Sequence, residues 1–313
     1  MVAKIFIDGE AGTTGLQIRE RLADRDDLEV ISIADDKRKD LAERQRLLNA
    51  ADVAILCLPD DAARESVSLI TNGTTRVIDA STAYRTDPDW TYGFAEMDKG
   101  QSDKIAKARF VANPGCWPQG LIAHVRPLID AGLLPADFRV TYNGISGYSG
   151  GGKAMIAEYE GDGAVADFMP YGLTFEHKHL PEMTAYAKLA NAPLFVPAVG
   201  NFAQGMLTFV PLQLGDLDKV PTGADIHAAI ADHFAAIENS FVSVAPLQQL
   251  GKTPALDPES LNNTNQLQLH VFANDARAQV LLVAVYDNLG KGASGAAVQN
   301  LNLMLGVDPR VSL

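Results

Sequence analysis

The stretch KIFIDGEAGTTGLQIRERL, Lys4 to Leu22, runs from a short apolar segment through three glycines into a helical pattern. Lys4 to Gly9 reads as a buried strand. Gly15 to Arg25 reads as a helix with Leu16, Ile18 and Leu22 as its apolar positions. The junction is G-x-x-G-x-x-G, not the commoner G-x-G-x-x-G, but the physics is similar. Glycines let the backbone approach a pyrophosphate, which then rests on free N–H groups at a helix N-terminus. A glycine trio can also be a tight turn with no ligand. Its place at the first strand–helix junction favours a nucleotide, with Gly9, Gly12, Thr13, Thr14 and Gly15 as the contacts.

Further along, LEVISIAD (28–35), ADVAILCLP (51–59), RVIDAS (76–81) and ARFVANPG (108–115) read as strands, with helical segments between the earlier ones. The alternation predicts βαβ units in a Rossmann-type, doubly wound parallel sheet of the α/β class. After Pro135 six strand-like segments follow with few helices, which predicts a second α+β domain on a mixed or antiparallel sheet. The final GASGAAVQNLNLMLG (292–306) is helical again and should pack back on the first domain. The expected division is 1–115 plus 286–313 for dinucleotide binding and 116–285 for catalysis.

At 313 residues the chain can bury two cores. Its net charge of -13 argues against nucleic acid or an anionic membrane as partner, while leaving small anionic substrates open. No window holds eighteen uncharged apolar residues, and the start resembles neither a signal nor a transit peptide. Two cysteines without a CxxC motif point to the cytoplasm.

The second strand ends in IADDKRKD. Asp35 and Asp36 suit the ribose hydroxyl of NAD, whereas Lys37 and Arg38 suit the 2′-phosphate of NADP, so spacing alone leaves both cofactors open.

Within VANPGCWPQG (111–120), Cys116 stands between Gly115 and Trp117, with Pro118 in what would be a first helical turn. A thiol there sees the positive end of the helix dipole, which favours the nucleophilic thiolate. Beside a nicotinamide site such a cysteine can form a thioester and divide an acyl reduction into two steps. Cys57, inside VAILCLP, reads as a small buried hydrophobe. FEHKHLPEM supplies His177 and His179 as acid/base candidates, expected on opposite faces because they are two apart. His124, His227 and His233 lie in amphipathic patterns and read as packing or surface residues, and no spacing calls for a metal. Arg85 follows a parallel strand at its carboxyl end and can fork a phosphate. GISGYSGGGK (144–153) reads as a Gly/Ser-rich turn whose N–H groups can receive an oxyanion or phosphate, with Ser149 and Lys153 as substrate contacts, the alternative being a mobile loop.

GEAGTTG, NPGCWPQG, SGYSGGGK, EHKHLPEM and YDNLGKGASGAAVQNLNLMLG together resemble the shorter type of the N-acetyl-γ-glutamyl-phosphate reductases of arginine biosynthesis. NPGC and the C-terminal run are shared with the related aspartate-semialdehyde dehydrogenases. The longer type has Arg between its histidines and Thr before the proline, where this chain has Lys178 and Leu180. The resemblance implies NADPH as cofactor, with Lys37 and Arg38 near its 2′-phosphate. It also implies attack by Cys116 on an acyl phosphate and loss of phosphate held by Arg85. Asn113 would orient the acyl oxygen, and His179, ahead of His177, would act as acid and base. A homodimer or homotetramer through the second domain's sheet is implied as well. A sister enzyme acting on aspartyl phosphate and a non-catalytic dinucleotide sensor are the alternatives.

Overall fold

A computed structural model describes residues 2–247 and 255–313 and divides them into two compact units. The first takes the chain through Ala95, then Gly100–Gly115 and Ala293–Leu313. Its elements are β1 (Ala3–Asp8), α1 (Thr13–Leu22), β2 (Leu28–Ile31), α2 (Leu41–Ala50), β3 (Val53–Leu56), α3 (Asp60–Leu69), β4 (Arg76–Asp79), β5 (Thr91–Tyr92), α4 (Gln101–Lys107), β6 (Phe110–Ala112) and a closing helix, Gly295–Leu305.

The six strands are all parallel, in the order β2-β1-β3-β4-β6-β5. Strand period two sorts their side chains between two cores. Ile5, Ile7, Val53, Ile55, Ile78 and Val111 meet Ile18 and Leu22 of α1, Ile105 of α4, and Val298 and Leu301 of the closing helix. Phe6, Ala54, Leu56, Val77 and Ala112 meet Leu47 and Leu48 of α2 and Ala63 of α3. The C-terminal segment thus completes one face of the sheet, as its apolar pattern required. Arg76 fixes this layer by donating to the carbonyls of Ala106 and Ala108, each at 2.7 Å, and to that of Met304. It caps the carboxyl ends of α4 and the closing helix together.

The second unit, Glu96–Lys99 and Cys116–Gly292, holds α5 (Cys116–Asp130), β7 (Thr141–Gly147), α6 (Gly152–Tyr159), β8 (Phe168–Pro170), α7 (Leu180–Tyr186), β9 (Leu194–Gly200), β10 (Met206–Gln213), α8 (Gly223–Ala235), β11 (Val242–Val244), β12 (Leu267–Asn274) and β13 (Gln279–Tyr286). The closing helix of the first unit is therefore α9. The seven strands run β11-β12-β13-β10-β7-β9-β8. β11 with β12 and β7 with β9 are parallel, and the remaining neighbours antiparallel, so the sheet is mixed. α5 packs on β10, β12 and β13, with α7 and α8 against it. A separate cluster joins Leu207, Val283 and Val285 to Ile145, Phe209 and Phe272 of neighbouring strands, next to Leu256 and Leu261.

The Gly/Ser-rich turn expected over 144–153 narrows to a single 3₁₀ turn at Tyr148–Gly151, between the end of β7 and the start of α6. Its first glycine marks close packing. A Cβ on Gly144 would stand 2.4 Å from the Leu207 carbonyl oxygen and 2.9 Å from the Trp117 ring.

Candidate active site

In the first unit, the turn after β1 is shaped by its glycines. Gly9 has φ +89°, and a Cβ there would lie 2.4 Å from the Cys57 carbonyl oxygen on the turn after β3. A Cβ on Gly15 would meet the Gly9 carbonyl oxygen at 2.6 Å. Gly12 is the N-cap of α1, no side chain caps that end, and no acid stands in its first turn. The Thr13 Oγ1 is buried there without a hydrogen-bond partner. A close-approaching backbone, an open helix N-terminus and an unmatched buried hydroxyl fit a pyrophosphate, so the turn suits a dinucleotide.

Beyond β2, Asp35–Lys37 form one 3₁₀ turn, and Arg38 pairs with Asp35 at 2.7 Å on the exposed surface. Another cation, Arg19, pairs with a residue of the glycine turn itself. Arg19 of α1 donates to Ser32 Oγ at 2.7 Å, just past β2, and pairs with Glu10 at 2.5 Å. Its spacing of four from Gly15 places it over the turn, a signal available in the sequence.

At the carboxyl end of β4, Asp79 accepts from Ser81 Oγ at 2.6 Å, and burial pushes its carboxyl up to about 6 against that bond. Arg85 is buried and donates from Nε to the Asn113 carbonyl and from Nη2 to the Ala80 carbonyl, both at 3.0 Å. The Asn113 amide is held at both ends: Nδ2 donates to the Ala293 carbonyl and Oδ1 accepts from Asn300 Nδ2, each at 3.0 Å. Both residues thus brace the segment that leads to Cys116. The second N–H of the Asn113 amide is not engaged by these two bonds and is the donor that an acyl oxygen would meet.

In the second unit, Cys116 is the first residue of α5. The backbone of Gly292 lies against it, since a Cβ on Gly292 would come within 2.8 Å of the Cys116 Cβ. Gln119 ties the same segment down by donating to the Lys291 carbonyl at 2.7 Å. Lys291 is itself buried on Glu96 at 2.6 Å. Cys57, by contrast, packs against the first unit's core, and burial pushes its thiol up to about 12.

The histidines differ from expectation. Period two separates neighbours on a strand, but His177 and His179 lie in a turn before α7, and their rings stand 4.7 Å apart. His177 Nδ1 accepts the His179 backbone N–H at 3.1 Å, which leaves the ring proton on Nε2. Burial, with Lys178 adding to it, pulls the His177 ring down to about 4. The ring also meets Phe195 edge-on at 5.1 Å and lies 5.8 Å from the Tyr171 ring. The Tyr171 hydroxyl accepts from the Trp117 indole at 3.0 Å, so a chain of contacts leads from the residue after Cys116 to His177. His179 is buried at the N-terminus of α7.

Ser149 is buried and its hydroxyl accepts from Asn288 Nδ2 at 3.1 Å, a bond within the fold. Lys153 is exposed in the first turn of α6. Of the other histidines, His124 is buried in α5 against the Gly120 carbonyl, and burial pulls it down to about 3. Among the described residues, no group of three His, Cys, Asp or Glu is placed to hold a metal ion, and no helix is long and apolar enough to cross a membrane.

Two family models match the chain: the semialdehyde dehydrogenase NAD binding domain over residues 4–107 and the semialdehyde dehydrogenase dimerisation domain over 116–288. The chain is 69% identical to an N-acetyl-γ-glutamyl-phosphate reductase of Chelativorans sp. over 97% of its length and 99% of that protein's. It is 68% identical to the protein of that name from Mesorhizobium japonicum, over 98% and 100% of the two chains. Among solved structures, aspartate semialdehyde dehydrogenase II of Vibrio cholerae superposes with a TM-score of 0.71 at 15% identity, covering 98% of this chain and 99% of that one. At that identity the likeness is one of fold.

Proposed function

The chain belongs to the N-acetyl-γ-glutamyl-phosphate reductases, and on that footing we propose a mechanism for the reaction it performs. The reaction is the NADPH-dependent reductive dephosphorylation of N-acetyl-γ-glutamyl phosphate to N-acetyl-L-glutamate 5-semialdehyde, a step of arginine biosynthesis. The observation that carries the mechanism is the position of Cys116 as the opening residue of α5, while the other cysteine packs, partly buried, against the first unit's core. First-turn N–H groups favour negative charge on sulfur there. The thiolate attacks the γ-acyl carbon, a C–S bond forms, and phosphate leaves with the electrons of the broken C–O bond.

The glycine turn Gly9–Gly15 holds the pyrophosphate of the dinucleotide, with Thr13 and Thr14 beside it. When bound, the cofactor supplies the hydride that reduces the thioester. Lys37 and Arg38 provide positive charge for its 2′-phosphate. Arg85 lends charge to the leaving phosphate, and Ser149 and Lys153 stand for the remaining polar contacts with substrate. His177, neutral with its proton on Nε2, donates a hydrogen bond to the oxygen on which negative charge develops, and His179 gives that oxygen its proton and takes it back as the C–S bond breaks. His179 also orients the His177 ring through its backbone N–H.

The division of labour is a dinucleotide-binding domain of 1–115 whose C-terminal part begins at 293, not at the expected 286, since β13 and the turn after it belong with the second, catalytic unit. The matched dimerisation model favours a homodimer or homotetramer built on the second unit's sheet. A thiol that must stay reduced suits the cytoplasm. The test is the reverse reaction. N-acetylglutamate semialdehyde, phosphate and NADP should yield NADPH, while aspartate semialdehyde in the same assay should give little. Equal rates with both would move the chain to the aspartyl branch. Binding of NADP without turnover of either would favour a sensor.

A further inference from the structure

Three strands at the centre of the second sheet, β13, β10 and β7, carry Tyr286, Thr208 and Tyr142 toward α5. All three side chains converge on Gly120. A Cβ there would lie 2.5 Å from Thr208 Oγ1, 2.9 Å from the Tyr142 hydroxyl and 3.0 Å from that of Tyr286. The glycine makes room for the hydroxyls, and the hydroxyls serve the first turn of the helix. Tyr286 donates to the Cys116 carbonyl at 2.8 Å, and its oxygen meets the backbone N–H of Gly120. Tyr142 donates to the Trp117 carbonyl at 2.6 Å, and its oxygen meets the N–H of Leu121. Each phenol therefore stands beside the i to i+4 rung of one residue pair, 116 with 120 and 117 with 121.

We propose that Tyr286 and Tyr142 are positioning residues, whose hydroxyls seat the first two residues of α5 on the sheet and so fix where Cys116 presents its sulfur. This rests on Cys116 being the nucleophile. Burial pushes both phenols up, so they remain protonated donors across the working pH range. The groups are not placed for stability alone. A buried polar pair under a helix could be replaced by apolar packing at little cost, whereas only a donor can hold a particular carbonyl. Without the hydroxyl, each carbonyl keeps only its partner within the helix, and the first turn can shift. A displacement near 1 Å at a reacting atom costs on the order of 100-fold in rate.

The test compares Tyr286→Phe, Tyr142→Phe and Gly120→Ala with Cys116→Ser and the parent chain. For Tyr286→Phe the expectation is a drop of roughly 10- to 100-fold in kcat and in the single-turnover release of phosphate from N-acetylglutamyl phosphate. The KM for NADPH should stay within about twofold, since the glycine turn is untouched. Tyr142→Phe should show the same split more weakly, because it holds the residue after the nucleophile. Gly120→Ala should reproduce it by pressing on the hydroxyls from the other side. Tyr286→Phe or Tyr142→Phe with parental phosphate release overturns the proposal, as does a loss of NADPH binding in step with activity. If one variant fails to fold, the other two decide. Activity in Cys116→Ser would sink the nucleophile assignment instead, and that outcome is separate from any result with the tyrosines.

Discussion

Gly9→Ala and Gly12→Ala, three residues apart in the same turn, should fail in different ways. Alanine at position 9 must hold φ +89°, which costs about 1–2 kcal/mol for a residue with a Cβ. Its Cβ would also lie 2.4 Å from the Cys57 carbonyl oxygen, which is backbone and cannot swing aside. Relieving that contact moves the end of β1 relative to β3, an overpacking cost of roughly 1–3 kcal/mol. The sum is about 2–5 kcal/mol, or on the order of 10 °C in Tm for a chain of this size. At Gly12 the nearest obstacle is the Gly9 carbonyl oxygen at 3.4 Å and the backbone is extended, with φ −73°. Stability there should change by less than about 1 kcal/mol. Yet the new methyl would project where the backbone must approach the pyrophosphate. Thermal unfolding with and without NADPH separates the two effects. Gly9→Ala should melt far lower and bind poorly. Gly12→Ala should melt like the parent but gain much less from NADPH. A Gly9→Ala protein melting within 2 °C of the parent (about half a kcal/mol) would refute the steric argument.

Other expectations follow from the same structure. Iodoacetamide should place one label on the folded chain, at Cys116, because burial pushes the Cys57 thiol up to about 12; labelling at Cys57 first would reverse the assignment. Acid should destabilise the fold between pH 6.5 and 4, since burial pulls His124 down to about 3 and His177 to about 4. The unfolded chain then takes up protons that the folded chain refuses, so stability present above pH 6.5 is lost as pH falls, by about 1.4 kcal/mol per unit for each ring. Asp79, pushed up to about 6, works in the opposite sense and offsets part of this. His177→Asn should remove one ring's share of the slope, read by denaturant unfolding at several pH values, and an unchanged slope would contradict the burial of that ring. Neutralising Lys37 and Arg38 together should lower preference for NADPH over NADH, measured as a ratio of kcat/KM. An effect confined to Arg19→Ala would move the 2′-phosphate contact to α1 and Ser32.

The fold was legible because its main signals are local. Alternation in KIFID and VAIL carries the two-sided burial of a parallel sheet, and the same segments split between two cores by parity. The C-terminal helix was legible for the same reason, through Ala297, Val298, Leu301 and Met304. What resisted was side-chain direction outside regular structure. His177 and His179 were expected to diverge by a rule for strands, but they lie in a turn, where one ring accepts the other's backbone N–H. The turn in the Gly/Ser-rich segment 144–153 was legible, but composition cannot tell an open glycine from one pressed against Leu207 and Trp117, as Gly144 is. Asn113 and Arg85 showed the right chemistry in sequence, yet partners nearly two hundred residues away at Ala293 and Asn300 engage the Asn113 amide. The tyrosines beneath Cys116 were invisible for the same reason, as Tyr286 reaches it from 170 residues along the chain.

The covalent role of Cys116 is tested most directly by intact mass, with N-acetylglutamyl phosphate and no nicotinamide reductant. The chain should gain one N-acetylglutamyl group, localised to Cys116, as phosphate appears in equal amount, and added NADPH should restore the free thiol with one equivalent of semialdehyde. A chain that turns over normally under NADPH yet never carries the acyl group under any quench would contradict covalent catalysis through Cys116.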